Sequence, residues 1–405
     1  CLSRGLGDVY KRQVVDVVRT AVGKGKPGGA LSGTHPVDLL ATVLTAIEQR
    51  NGLDPNKVDD VITGCVSQVG EQALNIGRQG VLAAGWPEAI PATTIDRQCG
   101  SSQQAVHFAA QGIMAGAYDI VVAAGVEPMS RIPLGTSHIG QDVYGARLPK
   151  RYPEGLVNQG VSAELICQKW GISREEIDEY SARSHRLASE ATEAGYFDKE
   201  IVPVEVVDAE GNTHIHTVDE TIRPTTSAEG LAGLKPSFAT DAMRDRFPDI
   251  DWKITPGNSS PLTDGASAAL IMEESVAAAL GLTPRARFVS FSVVGSDPLL
   301  MLTGPIPATQ QALKRAGLSI GDIDRFEVNE AFAPVPLAWA REVGADIEKT
   351  NTVGGAIALG HALGSSGTRL FTTLINELER TGGRYGLQTM CEGAGMANAT
   401  IIERL

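Results

Sequence analysis

The chain has 405 residues, 42% apolar and 20% charged, enough for two full-sized domains around a substantial core. Its 35 Lys and Arg against 48 Asp and Glu leave a net charge of −13 without a basic stripe, which argues against nucleic acid or an anionic membrane as the partner. Five cysteines (Cys1, Cys65, Cys99, Cys167, Cys391) never fall at C-x-x-C spacing, and Glu273 and Glu274 interrupt the most apolar window, 265–282; a disulfide framework, a cysteine zinc site and a transmembrane helix are therefore disfavoured, and a reducing cytoplasm is the expected setting.

Residues 1–13 (CLSRGLGDVYKRQ) show neither a signal-peptide core nor a strand pattern and are set aside as a leader of unassigned origin. VVDVVRT at 14–20 predicts a buried first strand, and an amphipathic helix is expected over 37–50. The stretch from Gly52-Leu53 to Val61-Ile62 enters a short apolar strand ending at Gly64-Cys65. Cys99-Gly100-Ser101-Ser102 then opens a helix, with Ser as the expected N-cap, a stripe of Val106, Ala109, Ile113 and Met114, and Gly116 as its stop. A strand follows at 120–125.

Residues 129–253 have a different texture, with clustered charges, a helix over 174–195 and a hairpin pattern of 201–208 and 213–218 turning at Glu210-Gly211-Asn212. They read as an excursion covering a site built elsewhere. The first plan then recurs. A helix over 309–316 leads into Gly317-Leu318 through Phe326-Glu327, which lines up without a gap on 52–62 and ends at Val328-Asn329. Leu363-Gly364-Ser365-Ser366 opens a helix with the stripe Leu370, Phe371, Leu374, Ile375 and Leu378, stopped by Gly382-Gly383, and a strand follows at 387–391. Alternating helices and near-continuous apolar strands predict an α/β chain with mixed or parallel sheets covered on both faces.

Cys99 stands where the positive end of a helix favours a thiolate nucleophile, although an isolated buried Cys is more often only a small hydrophobe. His361 occupies the matching loop of the other half, so that a pseudo-twofold packing would bring imidazole to thiol. Gly354, Gly355 and Gly360 lack the phosphate-loop and dinucleotide patterns and suit close approach to a ligand. Cys391-Glu392-Gly393 offers a second thiol and a backbone N–H for an oxyanion, and Asn329-Glu330 is a polar pair at a strand end. His214 and His216 alternate on the hairpin without a third metal ligand, His107 reads as a packing residue, and Cys65 and Cys167 as core thiols.

Four strings in order, DRQCGSSQQAVHFAAQGI around Cys99, NEAFA from Asn329, GGAIALGHALGSSG around His361, and CEGAGMANATIIERL from Cys391, resemble the thiolase family from about Val14 to Leu405. The resemblance implies a five-layered αβαβα thiolase fold: residues 14–128 with 254–284 as one half, 285–405 as the other, and 129–253 as a loop domain that covers the site and binds CoA. It implies a 3-ketoacyl-CoA thiolase, an acetyl-CoA C-acyltransferase of β-oxidation in which Cys99 is acylated, His361 activates it and Cys391 is the acid/base. Asn329, through a water, with His361, and the N–H groups of Cys99 and Gly393, would form two oxyanion pockets. Arg223, Phe238, Ser260, Ala331 and Phe332 match substrate or CoA contacts. CoA enters as co-substrate, with no permanently bound cofactor and no metal expected. The implied assembly is a homodimer or homotetramer, with a multifunctional β-oxidation protein as a further partner. Ala362 stands where the family commonly has Pro, Ala394 where it has Gly, and Asn158-Gln159 replaces a His-Met pair of short-chain biosynthetic members. The competing readings are a biosynthetic acetoacetyl-CoA thiolase, a ketoacyl synthase-like condensing enzyme, disfavoured by the second thiol, and a non-catalytic acyl-CoA-binding protein.

Overall fold

The computed structural model describes residues 12–207 and 211–405. Nine strands, β1 (Arg12–Thr20), β2 (Asp60–Gly64), β3 (Ala92–Ile95), β4 (Ile120–Val126), β5 (Ala266–Glu273), β6 (Ala286–Gly295), β7 (Arg325–Val328), β8 (Tyr385–Glu392) and β9 (Met396–Arg404), lie in the order β7-β8-β9-β6-β1-β5-β4-β2-β3, and a tenth, the short Ile201–Val202 strand, pairs in parallel with β1 off this path. The helices that shape the site are α1 (Pro36–Asn51), α2 (Ile76–Ala83), α3 (Ser101–Met114), α4 (Gln159–Trp170), α5 (Arg174–Glu193), α6 (Pro305–Ala316), α7 (Pro334–Val343) and α8 (Ser366–Thr381).

The sheet has two wings that, among the described residues, pair where Gln13 and Val14 of β1 meet Arg287 and Ala286 of β6. Outward from that joint each wing repeats one pairing order: antiparallel (β1–β5, β6–β9), antiparallel (β5–β4, β9–β8), then parallel (β4–β2, β8–β7). The parallel β2–β3 pair is answered by a single bridge, Phe326 to Thr350. Even the bulge recurs, between Val14 and Asp16 in β1 and between Phe288 and Ser290 in β6. The repeated sequence maps onto it: Gly52 (φ 54°) and Gly317 (φ 67°) close α1 and α6 in the left-handed region, and each is followed by a 3-10 turn and then β2 or β7.

Period-two burial sorts the strands between layers. In β4, Val122, Ala124 and Val126 face α1 and α2, whereas Val121 and Ala123 face α3 and α8. The helices α3 and α8 fill the space between the wings, packing Ala105, Ala109 and Ile113 with Phe371, Leu374 and Leu378, and α6 and α7 cover the far side of the second wing. The layers are thus helix, sheet, helix, sheet, helix, the αβαβα arrangement.

Three local expectations change. Arg12 and Gln13 belong to β1, so the strand starts within the segment set aside as leader, while 1–11 lie outside the described residues, as do Asp208 and Glu210 of the hairpin. The serines do not cap their helices: Ser101 Oγ donates to Gln98 O at 2.6 Å, and Ser102 Oγ accepts from Thr368 N at 3.0 Å. The two helix starts are buried against each other, so the hydroxyls tie neighbouring segments instead. The glycines expected beside a ligand closely approach protein: a Cβ at Gly354 would press on Ser184 O at 2.6 Å, one at Gly355 would strike the Glu330 carboxylate, and one at Gly360 would strike the Thr263 side chain.

The stretch between β4 and β5 carries α4, α5 and the antiparallel pair Val204–Val207 and Thr213–His216. Ala163, Ile166, Ile177 and Tyr180 from it pack on Ala331, Phe332 and α7. Fully buried Arg19 of β1 holds it from below, its Nε on Glu200 at 2.6 Å and its Nη atoms on Asp219 at 2.8 and 2.9 Å.

Candidate active site

Cys99 ends the loop between β3 and α3. Gln98 before it adopts φ 48°, a conformation that costs a non-glycine residue about 1 kcal/mol or more and that is held by Gln98 N donating to Asp96 Oδ1 at 2.6 Å and Arg97 N donating to Ser101 Oγ at 2.9 Å. The thiol is buried against Leu363, Leu370 and Met390. The N–H groups of Cys99 and Gly393 and the Gln159 side chain favour its thiolate, yet burial and the nearby Glu392 carboxyl push the thiol up to about 12. The thiolate expected from the helix terminus is therefore not the resting form; desolvation outweighs the N–H donors.

His361 lies in the equivalent loop. Ser366 Oγ donates to Ala362 O at 2.9 Å and lies 2.6 Å from His361 Nδ1. With the hydroxyl proton so committed, Nδ1 carries the ring proton and donates, leaving Nε2 as the free base. Nε2 lies 3.4 Å from Asn329 Nδ2. Burial, aided by Arg369, brings His361 down to about 3, so the ring is neutral. Its loop is anchored by Glu330, which accepts from Tyr180, Ser184 and Asn351 at 2.8 Å each and from Ile357 N at 3.0 Å. Glu127 accepts from Gly364 N at 3.0 Å on the other side.

Cys391 sits near the end of β8 opposite Ala397, and the turn after it carries Ala394 at φ 66° and Gly395 at φ 78°. Burial, with Cys99 and Glu392 beside it, holds its thiol well above the ordinary range. The structure thus brings Cys99, Cys391 and the Gly393 N–H together, and His361 with Asn329. The two groups join through Leu363, two residues beyond His361 and packed on Cys99, and through Asn329 N, which donates to Thr389 O of β8 at 3.1 Å.

Ala331 and Phe332 follow Asn329 and line the same region: Ser260 N and Oγ donate to Ala331 O at 3.1 and 3.2 Å, and Phe238 meets Phe332 edge-on at 6.1 Å between centroids. Arg223 is exposed, its N–H donating to His185 Nδ1 at 3.1 Å. His107 is buried, with Nε2 2.7 Å from Thr400 Oγ1. His214 is exposed while His216 is buried, 3.2 Å from Val22 O, and no metal-binding group of three is found among the described residues. Cys65 and Cys167 are buried free thiols. Three participants escaped the motif reading. Gln159 belongs to the excursion, and only its departure from the family pair marked it. Ser366 carries the N-cap expectation, and Glu392 has no assignment of its own between Cys391 and Gly393.

Models of the thiolase N-terminal domain and C-terminal domain match residues 13–275 and 282–404. A steroid 3-ketoacyl-CoA thiolase of Mycobacterium tuberculosis is 49% identical over 400 residues, 97% of this chain and 94% of that protein. A 3-ketoacyl-CoA thiolase of Aliivibrio fischeri is 46% identical, covering 96% of this chain and 98% of its own. The solved acetyl-CoA acetyltransferase of Bacillus anthracis superposes with a TM-score of 0.87 at 38% identity over 98% of this chain and 99% of its own.

Proposed function

This chain belongs to the thiolase family, and on that premise we propose that it is a 3-ketoacyl-CoA thiolase, an acyltransferase that cleaves 3-ketoacyl-CoA with CoA to acetyl-CoA and a shortened acyl-CoA. The observation that carries the reading is the pairing of two buried thiols, Cys99 and Cys391, around the Gly393 N–H, with a neutral imidazole of fixed tautomer beside Asn329.

His361 Nε2 takes the Cys99 proton as the sulfur attacks the keto carbon, and the oxyanion that forms accepts from the N–H groups of Cys99 and Gly393. Such donors are each worth about 3 kcal/mol when aimed at developing charge. The bond between C2 and C3 breaks, its electron pair passing to the acetyl-CoA enolate. The protonated His361 Nε2–H now donates to the enolate oxygen, with a water held by Asn329, whose buried Oδ1 has no partner among the described residues. Cys391 delivers its proton to C2 and acetyl-CoA departs. A new CoA thiol gives its proton to the Cys391 thiolate and attacks the acyl-Cys99 thioester; the Cys99 thiolate released recovers its proton from His361. Run backwards, the same steps make the carbon–carbon bond.

Arg223, Phe238, Ser260, Ala331 and Phe332 are assigned to CoA and acyl contacts, Arg223 as the cation for a phosphate in an acidic chain. Residues 129–253 are assigned as the loop domain that carries CoA between the halves 14–128 with 254–284 and 285–405. The assembly is read as a homodimer or homotetramer in the cytoplasm, with a multifunctional β-oxidation protein as a further partner; no helix among the described residues is long and apolar enough to cross a membrane. The names of the relatives at 49% and 46% identity favour acyl groups longer than acetoacetyl, including bulky ones. CoA-dependent cleavage of a 3-ketoacyl-CoA chain-length series, with a steroid side chain included, tests this: activity on acyl groups beyond acetoacetyl is expected, and cleavage of acetoacetyl-CoA alone would favour the biosynthetic reading.

A further inference from the structure

Beside the nucleophile of the proposed function lies a carboxyl that the reaction above does not use. Glu392 follows Cys391, is fully buried, and neither of its side-chain oxygens has a hydrogen-bond partner among the described residues. It lies against Gly100, the residue that starts α3: a Cβ there would strike Glu392 Oε1 and press on Asn398 Oδ1 at 3.1 Å. Asn398 Oδ1 is a third buried acceptor without a partner among the described residues, its Nδ2 donating to Gln104 Oε1 at 3.2 Å. None of these three acceptors has a hydrogen-bonded donor among the described residues, Arg97 Nε being buried and equally unpartnered; a shared proton would satisfy them, and of these groups the carboxyl is the one that can carry it.

We propose that Glu392 is a positioning residue held as the neutral acid, sharing its proton with Asn398 Oδ1, and that its ionisation slows Cys99 by placing a negative charge beside the forming thiolate. The inference rests on the reading of Cys99 as nucleophile. The other groups around Glu392 are Arg97 and Asp96 in the loop before α3, Cys99 at that loop's end, and Cys391 on its own strand. Arg97 favours the carboxylate and Asp96 opposes it, while burial dominates and carries Glu392 up to about 8. The effect is reciprocal, since Glu392 is also among the causes that raise both thiols.

Iodoacetamide alkylation of Cys99 in the full chain, followed by peptide mass over about pH 6 to 10, tests the idea. For the wild type the logarithm of the rate is expected to climb with pH, flatten for about one pH unit near the Glu392 ionisation, then climb again, as two coupled sites require. The isosteric Glu392→Gln should climb without the shelf and react about tenfold faster above about pH 9, while matching the wild type at low pH. A purely structural role would displace the curve without changing its shape. A straight wild-type profile, or a shelf that survives in Glu392→Gln, overturns the proposal; if that variant does not fold, the wild-type profile alone decides. The thiolase reading fails separately, if Cys99→Ala still cleaves 3-ketoacyl-CoA.

Discussion

Replacing Ser366 by Ala isolates the step in which His361 acts as a base. In the structure the Ser366 hydroxyl commits its proton to Ala362 O and accepts from His361 Nδ1 at 2.6 Å, all of it buried. Without the hydroxyl, the Nδ1–H loses its acceptor, at a cost of about 1–3 kcal/mol for a buried unsatisfied donor. The ring can avoid that cost by moving its proton to Nε2, where it can no longer take the proton of Cys99. Either way the barrier to acylation rises by about 2–3 kcal/mol, which is a fall of roughly 30- to 150-fold in kcat. Ser366 is not among the substrate-contact residues, so KM should stay within about twofold. Steady-state thiolysis at neutral pH, with circular dichroism melting as a check on folding, reads this directly. A folded Ser366→Ala enzyme with kcat within about twofold of wild type, or one whose whole loss is in KM, would refute the tautomer argument.

Other consequences follow from the same geometry. Cys391→Ala should still accept an acyl group from acyl-CoA on Cys99 but lose carbon–carbon cleavage by about 10³-fold or more; equal thiolysis rates for variant and wild type would remove Cys391 from the mechanism. Ala394→Gly relieves a left-handed residue at φ 66° and should raise stability by about 0.5–1 kcal/mol in chemical denaturation, with activity unchanged; a loss of stability would mean that the turn is not strained. Glu330→Ala strips the shared acceptor from Tyr180, Ser184, Asn351 and Ile357 N, and a loss of about 3 kcal/mol or more is expected. An unchanged denaturation midpoint would show that the His361 loop is held by other contacts.

The readable parts of the fold were those with a local period or a local stop signal. The stripe Leu370, Phe371, Leu374, Ile375 and Leu378 marks α8, and the shared Gly-Leu start of 52–62 and 317–327 marks the repeat, because left-handed helix ends select glycine. The matched bulges at Val14–Asp16 and Phe288–Ser290 leave no trace in residue type, since a bulge is a property of the pairing partner. Cys99, proposed as nucleophile, and with it His361 and Cys391 were legible as motif residues. Their ionisation was not: the thiolate expected at Cys99 assumed an exposed helix end, whereas the layers on both sides of α3 desolvate it. Gln159, Ser366 and Glu392 each bear on a site thiol or imidazole through one hydrogen bond or one charge, and a single polar residue without a period gives a sequence nothing to count.

The most direct test of the mechanism is the mass of the protein after mixing with a 3-ketoacyl-CoA in the absence of free CoA. The expected result is one acyl group per chain, shorter than the substrate acyl by an acetyl unit, located by peptide mapping on Cys99, with an equal amount of acetyl-CoA released. An unmodified protein that nonetheless releases acetyl-CoA, or an acyl group found on Cys391, Cys65 or Cys167 in place of Cys99, would contradict it.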